Sequence, residues 1–410
     1  MNQYTPRGFR NRKRRPTSSG GSRNSFSSRR GSFSRQKSKK VLPTFDPTQF
    51  INKNPNKNVE EPAYVPKHSF NDFAIDDRLK KTLSLLKLTT PSPIQDQTIP
   101  EILAGKDVVG LAETGTGKTA AFLIPLIELR KADTKSITLI LTPTRELAIQ
   151  IDLEFRKLAK NFAFFSTVCV GGAAIGPQIR QLKRKNHFII GTPGRVKDLI
   201  ERGILPTDAV DSIVLDEADR MLDMGFIHDM KSILSELDNI KQTLFFSATM
   251  NDKTKSLIND FMKNPVMVSV KKKDVTSSIE QDVITCSIDG KYGTLLDLMR
   301  DEEFKRVIIF GAMKHSVEKL AQSLSASGVP AESLHGNKNH AQRQRSLTRF
   351  KNGQVKVLVA TDVAARGIHV DNVTHVINYD LPNSFEDYVH RIGRTGRGTC
   401  NGKALTFIAN

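Results

Sequence analysis

The chain has 410 residues and a formal net charge of +19 at pH 7, with 38% apolar residues, no Trp and three cysteines. This length exceeds one ordinary domain and indicates two domains plus a tail. The longest apolar stretch, around 120–129, is too short to span a bilayer, and the cysteines lack zinc-binding spacing, so we expect a cytoplasmic protein without a membrane segment.

Residues 1–66 are predicted to form a disordered basic tail. Residues 1–40 hold 13 Lys and Arg and no acidic residue, which leaves 49 basic and 43 acidic residues in the rest of the chain. So polar a segment cannot bury enough apolar surface to offset its ordering entropy. Three roles stay open: an electrostatic tether for RNA, a solubilising tail, and a targeting peptide, which its prolines and paired glycines disfavour.

From residue 67 onward, short apolar runs alternate with helix-length segments. Near-continuous apolar strands separated by helices are typical of a parallel sheet covered on both faces. The pattern predicts a doubly wound α/β domain over 67–270. Its strands are expected at 107–112, 137–142, 166–171, 187–192, 212–218, 243–248 and 266–270.

A phosphate-binding loop is predicted at 111–119, LAETGTGKT, between a strand and a helix. Glycines there let backbone N–H groups surround phosphate oxygens, while Lys118 offers a charge for the outer phosphates and Thr119 a hydroxyl for Mg²⁺. Ala112 replaces the first glycine of the usual pattern. The loop alone indicates a nucleotide, leaves the chemistry open, and would look the same as a glycine-rich turn with a surface lysine.

Two acidic residues, Asp216 and Glu217, are predicted at the carboxyl end of a buried strand. Ligands bind at that edge in open α/β sheets. Asp216 is suited to hold Mg²⁺, largely through water, and Glu217 to orient or deprotonate an attacking water. An Asp-Glu pair after a strand often only starts a helix, but a phosphate loop upstream makes nucleotide hydrolysis the better interpretation.

The apolar pattern lapses over 271–280, which is predicted to be a linker. It restarts over 281–410 and predicts a second α/β domain. This domain has no phosphate loop, so the cationic segment HRIGRTGR at 390–397 is either basic surface for a polyanion or is directed at the nucleotide of the first domain. Strands are expected at 282–288, 306–311, 355–360, 374–379 and 404–409.

The ordered motifs resemble those of DEAD-box RNA helicases of superfamily two, of bacterial type. The resemblance covers residues 68–410 and includes PSPIQ (91–95), AETGTGKT (112–119), PTREL (143–147), TPGR (192–195), DEAD (216–219), SAT (247–249), ATDVAARG (360–367) and HRIGRTGR. It implies two tandem RecA-like domains that hydrolyse ATP with Mg²⁺ and unwind RNA duplexes locally or remodel RNA–protein complexes. The expected partner is RNA bound through its backbone, by a monomer that works alone or within ribosome-assembly or RNA-decay complexes. A DNA helicase and a non-catalytic RNA chaperone or clamp are the alternatives.

The resemblance implies a nucleotide site shared by both domains. Gln95 would read the adenine edge and Phe70 would stack on the base, where the residues alone favour a helix-capping Gln and a core Phe. Glu217 and Lys118 would act in catalysis together with two arginine fingers, Arg394 and Arg397. The implied nucleotide-binding residues are Phe70, Gln95, Thr114, Gly115, Thr116, Gly117, Lys118, Thr119, Asp216, Glu217 and His369, with Thr119 and Asp216 at the metal.

Residues that couple the nucleotide to RNA are implied in both domains. Ser247 and Thr249 would hydrogen-bond to Asp219, while His390 and Arg391 would join the DEAD segment to the closed interface. RNA-backbone contacts are implied for Pro143, Thr144, Arg145, Gly171, Gly172, Thr192, Gly194, Arg195, Arg343 and Thr361.

His369 departs from the family pattern, which has an Asp that hydrogen-bonds to the ATP ribose. A neutral imidazole cannot offer a charge-assisted bond, so we expect weaker coupling of ATP to domain closure. An exposed histidine without a ligand role is the alternative. Lys87 and Leu88 also depart from the family, at a Gly-aromatic pair, which indicates a local change in the adenine loop.

Overall fold

The computed structural model of the chain describes residues 50–53, 64–113, 115–270, 279–365, 370, 372–396 and 402–409. Within these ranges the chain forms two parallel β-sheets flanked by helices. Most of the predicted tail, the linker segment 271–278, Thr114, His369 and Arg397 lie outside the described residues.

The first sheet has seven strands and every pairing in it is parallel. The strands are β1 (Val108–Leu111), β2 (Ile137–Leu141), β3 (Ser166–Cys169), β4 (Phe188–Gly191), β5 (Val210–Asp216), β6 (Gln242–Ser247) and β7 (Val266–Ser269). Their order across the sheet is β3-β4-β2-β5-β6-β1-β7. Each coincides with a strand predicted from an apolar run, to within two residues at either end.

Apolar cores lie on both faces of this sheet. Successive strand residues point to opposite faces, so β2 contributes Ile140 to one buried cluster and Leu139 to the other. The flanking helices are α1 (Asp77–Leu85), α2 (Pro93–Leu103), α3 (Lys118–Ala132), α4 (Arg145–Leu158), α5 (Ile175–Leu182), α6 (Pro193–Glu201), α7 (Ala218–Asp223), α8 (Ile227–Ser235) and α9 (Asp252–Phe261).

The second sheet has six parallel strands. They are β8 (Glu280–Cys286), β9 (Val307–Phe310), β10 (Ala331–Leu334), β11 (Val357–Ala360), β12 (His375–Asn378) and β13 (Lys403–Ala409), in the order β10-β11-β9-β12-β13-β8. Its helices are α10 (Lys291–Arg300), α11 (Lys314–Ala326), α12 (His340–Lys351), α13 (Asp362–Ala365) and α14 (Phe385–Ile392). Buried clusters again occupy both faces, so the predicted architecture of two doubly wound α/β domains is confirmed.

Strand β10 was missed by the sequence prediction. Glu332 and Ser333 interrupt its apolar pattern, and β10 lies at the edge of the sheet. Glu332 accepts hydrogen bonds from Ser346 and Arg349 of α12, while Ser333 donates to Glu318 of α11. The polar residues are therefore stabilised by partners that are distant in sequence.

Two short pieces of the predicted tail contact the folded domains, which corrects the expectation of disorder up to residue 66. Tyr64 donates a hydrogen bond to Asp96 of α2. Phe50 is fully buried, and Asn52 pairs with Gln281 of β8 in an antiparallel bridge. The tail composition is dominated by residues 1–40, so it did not reveal these contacts. No helix in the described part of the chain is long and apolar enough to cross a membrane.

Candidate nucleotide site and nucleic-acid interface

In the loop between β1 and α3, the side chains of Lys118 and Thr116 donate hydrogen bonds to the loop's own backbone carbonyls. Gly115 and Gly117 both have φ of 90°, in the left-handed region that favours glycine. Lys118 is buried, and its Nζ donates to the carbonyl oxygen of Ala112 at 2.7 Å. Thr116 Oγ1 donates to the carbonyl of Glu113 at 2.7 Å. The predicted amino group thus lies at the helix N-terminus, where a phosphate would be bound.

The two predicted carboxylates lie one strand away from this loop, because β6 separates β5 from β1. Asp216 ends β5, and Glu217 follows it with φ of 52°, which is unusual for a residue other than glycine. Burial raises the pKa of Asp216 to about 7, although the charge of Lys118 opposes the shift.

Glu217 titrates in the opposite direction. Burial by itself would raise its pKa, but the charges of Arg220, Lys118 and Arg394 together lower the pKa below the usual value. Glu217 is therefore held ionised while Asp216 lacks a sufficient counter-charge. Groups whose environments push their pKa values apart are a common sign of separate catalytic roles.

Arg220 is a site residue that the sequence analysis did not identify. Its Nη1 donates to Glu217 Oε2 at 2.9 Å, and both side chains are at most 5% exposed. A buried charge of this kind requires a partner. The spacing of three residues along α7 was the available signal, because such residues share a helix face.

The residues present fit a magnesium ion that is carried mainly by a nucleotide. No group of three or more His, Cys, Asp or Glu in the described ranges is arranged to hold a metal ion. Mg²⁺ usually keeps several waters and binds one or two carboxylates together with substrate phosphates. Asp216, buried with a raised pKa of about 7, and the hydroxyl of Thr119 in the first turn of α3 form such a small donor set.

Gln95 connects α2 to the phosphate loop. Its Oε1 accepts the N–H of Ser92 at 2.9 Å, which is the capping role that the residues alone favoured. Its Nε2 donates to the carbonyl of Gly117 at 3.1 Å. Phe70 lies in the core and packs edge-to-face on Phe73, with ring centroids 6.0 Å apart.

Arg394 brings the second domain to the carboxylates of the first. It lies just beyond α14 and is 5% exposed. Its charge contributes to the lowered pKa of Glu217, so the two side chains lie within electrostatic reach. Arg394 of HRIGRTGR is therefore close enough to act on the first domain's carboxylates.

Arg391 does not make the contact expected from the sequence. Its guanidinium donates to both carboxylate oxygens of Asp362, at 2.6 and 2.8 Å, and also to Asn378 and the carbonyl of Asp380. Its donors are thus used within the second domain, where they join α14 to α13. The neighbouring His390 is half-buried.

The bonds around Asp219 also correct one expectation. Asp219 Oδ2 accepts Thr249 Oγ1 at 3.0 Å and the N–H groups of Ala248 and Thr249 at 3.1 and 2.9 Å. Ser247, expected to bond to Asp219, instead donates to the carbonyl of Thr249 at 2.8 Å. The serine is fully buried at the end of β6, and this local carbonyl satisfies its hydroxyl.

Eight of the ten predicted RNA-contacting residues line one cavity of about 480 Å³. Thr144 and Thr192 are the N-cap residues of α4 and α6, so two helix N-termini lie at this cavity, a favourable position for an anion. The lining residues are Pro143, Thr144, Arg145, Glu146, Gly171, Thr192, Gly194, Arg195, Asp198, Met224, Phe226, Arg343 and Val363.

The cavity concentrates cations from both domains. Burial and the charges of Arg343 and Arg195 lower the pKa of Arg145. Arg343 Nη2 lies 3.1 Å from Glu146 Oε1. Mutual repulsion among these partly buried cations favours the binding of a polyanion.

The remaining two predicted RNA contacts, Gly172 and Thr361, do not line the cavity. Gly172 has φ of +67°, and a Cβ added there would meet the Arg145 guanidinium at 2.1 Å. The N–H of Thr361 donates to the carbonyl of Leu334 at 3.2 Å, at the end of β11.

Two family models match the chain. The DEAD/DEAH box helicase model matches residues 92–257 and the helicase conserved C-terminal domain model matches residues 290–399. The DEAD-box ATP-dependent RNA helicase CshA of Bacillus licheniformis is 46% identical over 342 residues, covering 83% of this chain and 70% of the relative. The ATP-dependent RNA helicase CshA of Listeria monocytogenes is 44% identical over 343 residues, covering 83% of this chain and 66% of the relative.

Solved structures support the same relationship. S. cerevisiae Dbp5 bound to RNA and ADP BeF3 superposes with a TM-score of 0.74 at 30% identity, covering 83% of this chain and 90% of that one. Mss116p bound to single-stranded RNA and AMP-PNP gives a TM-score of 0.73 at 32% identity, covering 82% of this chain and 73% of that one.

Proposed function

This chain belongs to the DEAD-box family of ATP-dependent RNA helicases, and we propose that it hydrolyses ATP at a site completed by both domains in order to separate short RNA duplexes. The first domain is taken as 67–270 and the second as 281–410, joined by 271–280. The observation that carries the proposal is the cavity lined by Arg145 and Arg195 of the first domain and Arg343 of the second, because it joins cations of both domains on one anion-binding surface. The effect of Arg394 on the pKa of Glu217 supports a second connection, at the hydrolytic carboxylate.

On the first-domain side, the phosphate loop receives the triphosphate. Lys118 exchanges its bond with the Ala112 carbonyl for the outer phosphates, which lie at the N-terminus of α3. The backbone of Gly115, Thr116 and Gly117 provides N–H groups for the phosphate oxygens. Thr119 and Asp216 would hold Mg²⁺, largely through water, and the ion would neutralise phosphate charge.

Adenine selection is assigned to Gln95, whose amide already contacts the loop at Gly117. Phe70 provides the apolar surface for the base, and His369 stands at the sequence position that the family uses for the ribose.

Hydrolysis is assigned to Glu217 with two arginines. Glu217 is held ionised, so it accepts a hydrogen bond from the attacking water and orients it. Arg394 and Arg397 stabilise the charge that develops on the transferred phosphoryl group. Arg220 keeps the Glu217 carboxylate in place through its 2.9 Å hydrogen bond.

The RNA backbone occupies the cavity that both domains line. Arg145, Arg195 and Arg343 neutralise its phosphates, and the N-termini of α4 and α6 provide N–H donors. Contacts of this type carry no base sequence information, so binding is independent of sequence. Asp219 and Thr249 connect this first-domain surface to the nucleotide site.

Since both ligands bridge the two domains, each favours closure and each should tighten the other, as linkage requires. The closed state holds one strand and excludes its complement, so unwinding is local. The basic residues 1–40 add an electrostatic tether for RNA. We take the protein to act as a cytoplasmic monomer.

ATP hydrolysis by the full chain, measured with and without single-stranded RNA, tests the proposal together with the unwinding of matched short RNA and DNA duplexes. Hydrolysis should require RNA, and only the RNA duplex should be separated. Lys118→Ala should abolish both activities, while Lys135→Ala, the same change at an exposed position, should not. Hydrolysis indifferent to RNA would overturn the proposal, and equal unwinding of DNA would replace it with a DNA helicase.

A further inference from the structure

Phe50 is buried beneath the helix that precedes Arg394. Its side chain is fully buried, and its ring packs on Tyr388 of α14 with centroids 4.6 Å apart. Phe50 and Tyr388 belong to one buried apolar cluster with Ile279, Ile392 and Ala404. This cluster therefore lies between the sheet of the second domain and α14.

Backbone pairing fixes the segment Phe50–Lys53 in this position. The N–H of Asn52 donates to the carbonyl of Gln281 at 2.8 Å, and the N–H of Gln281 donates to the carbonyl of Asn52 at 2.9 Å. Two reciprocal bonds form a hydrogen-bonded antiparallel pair at the edge strand β8. An ion pair between Lys53 and Asp282, at 3.6 Å, extends the contact.

Gln281 connects this pairing to α14. Its Oε1 accepts a hydrogen bond from the Tyr388 hydroxyl at 2.9 Å. Both Gln281 and Tyr388 also contact the N-terminal segment. The segment thus contacts α14 directly through the Phe50 ring. It also contacts α14 indirectly through Gln281, which pairs with Asn52 and bonds to Tyr388.

The contact continues to Arg394 through the end of α14. The N–H of Gly393 donates to the carbonyl of Val389 at 3.0 Å. The N–H groups of Arg394 and Thr395 donate to the carbonyls of Arg391 and Ile392, at 3.1 and 3.0 Å. These bonds continue the helical turn through Thr395. Movement of α14 would therefore carry the backbone of Arg394 with it.

We propose that Phe50 is a positioning residue for Arg394, held under α14 by the backbone pairing of Asn52 with Gln281. The segment lies outside both matched family ranges, 92–257 and 290–399. The inference rests on the proposed function, in which Arg394 stabilises the transition state. Removing the Phe50 ring leaves a cavity under α14, and a displacement of about 1 Å at a catalytic group costs up to about 100-fold in rate.

The test uses four full-length variants: Phe50→Ala, Phe50→Leu, Arg394→Ala and the double variant Phe50→Ala/Arg394→Ala. Ile51→Ala is the matched control, because the neighbouring Ile51 is 45% exposed. Turnover at saturating ATP and RNA, the Michaelis constant for ATP and RNA affinity are measured for each, at a temperature where thermal melting shows each variant to be folded.

Phe50→Ala should lower turnover about 10- to 100-fold, with the Michaelis constant and RNA affinity within about 3-fold of wild type. Phe50→Leu should recover much of the turnover. The double variant should be no slower than Arg394→Ala, because a residue that acts through Arg394 has nothing left to position. Ile51→Ala should match wild type.

A Phe50→Ala protein with normal turnover would overturn the inference and leave the proposed function intact, since the segment would then only stabilise the fold. A slowing that adds fully to that of Arg394→Ala would also overturn it. Normal turnover of Arg394→Ala would instead contradict the proposed function. If Phe50→Ala does not fold, Phe50→Leu and the double variant Phe50→Leu/Arg394→Ala replace it. The slowing in the double variant is then compared with the slowing in Arg394→Ala in the same way.

Discussion

Arg343 of the second domain forms an ion pair with Glu146 of the first, with 3.1 Å between Nη2 and Oε1. Both side chains are at most 12% exposed, and both line the cavity proposed to hold RNA. The Glu146 carboxylate therefore pairs with the same guanidinium that an RNA phosphate would need as its partner. We therefore expect the Glu146 carboxylate to compete with RNA for Arg343.

Neutralising Glu146 should tighten RNA binding. Glu146→Gln removes the competing charge, so affinity for single-stranded RNA should rise about 3- to 10-fold, and the dependence of binding on salt should steepen. Fluorescence anisotropy over a salt series measures both. Glu154→Gln is the control, because Glu154 lies on the same helix and pairs with the exposed Lys157 at 3.2 Å. Weaker binding by Glu146→Gln would refute the competition.

Gly172 should tolerate alanine poorly. A Cβ there would meet the Arg145 guanidinium at 2.1 Å, and the φ of +67° disfavours any side chain. Gly172→Ala should displace Arg145 and weaken RNA binding about 10-fold, with ATP affinity in the absence of RNA unchanged. Gly171→Ala is the comparison, since no atom lies within 4 Å of the Cβ added there. Equal losses in the two variants would show that displacement of Arg145 is not the cause.

Binding of Mg–ATP should release a proton near neutral pH. Burial raises the pKa of Asp216 to about 7, so below pH 7 its carboxyl is mostly protonated in the free protein and must ionise to hold the metal. Affinity for Mg–ATP should therefore fall as the pH is lowered from about 8 to about 6.

Calorimetry at pH 6.5 in two buffers of different ionisation enthalpy measures this release, with about 0.8 proton expected. The same titrations at pH 8.5 are the control and should give almost none. Identical binding heats in both buffers at pH 6.5 would show that Asp216 is already ionised.

Arg220 should set the pH range of catalysis. Among the neighbouring charges, that of Arg220 has the largest effect in lowering the pKa of the buried Glu217. Arg220→Met should raise that pKa, move the acidic limb of the turnover–pH profile to higher pH, and destabilise the fold by about 3–5 kcal/mol because a buried carboxylate loses its partner. Arg220→Lys keeps the charge and should shift the profile less. An unchanged profile for Arg220→Met would mean that the ion pair has no role in the reaction.

The sequence predicted those features that depend on short, continuous patterns. The run ITLIL became the buried strand β2, Lys118 begins α3, and Asp216 ends β5, as the motifs predicted. Parallel strands meet at a common carboxyl edge, so the motifs were sufficient to predict that Lys118 and Asp216 lie at the same edge of the sheet.

Partners chosen by tertiary packing were harder to predict. Ser247 and Arg391 carry the expected residue types, but each satisfies its hydrogen bonds with groups that no local pattern identifies. The role of Phe50 was missed for the same reason, because its partners Ile279 and Tyr388 lie more than two hundred residues away.

The central claim is that Arg394 of the second domain completes the hydrolytic site of the first. Single-turnover hydrolysis by Arg394→Ala, at saturating ATP and RNA, tests it most directly. Arg345→Ala, an exposed arginine of the same domain, controls for the loss of positive charge. Arg394→Ala should hydrolyse ATP about 10³-fold more slowly while its RNA affinity stays within about 3-fold of wild type. Normal hydrolysis combined with weakened RNA binding would contradict the claim and make HRIGRTGR basic surface for RNA.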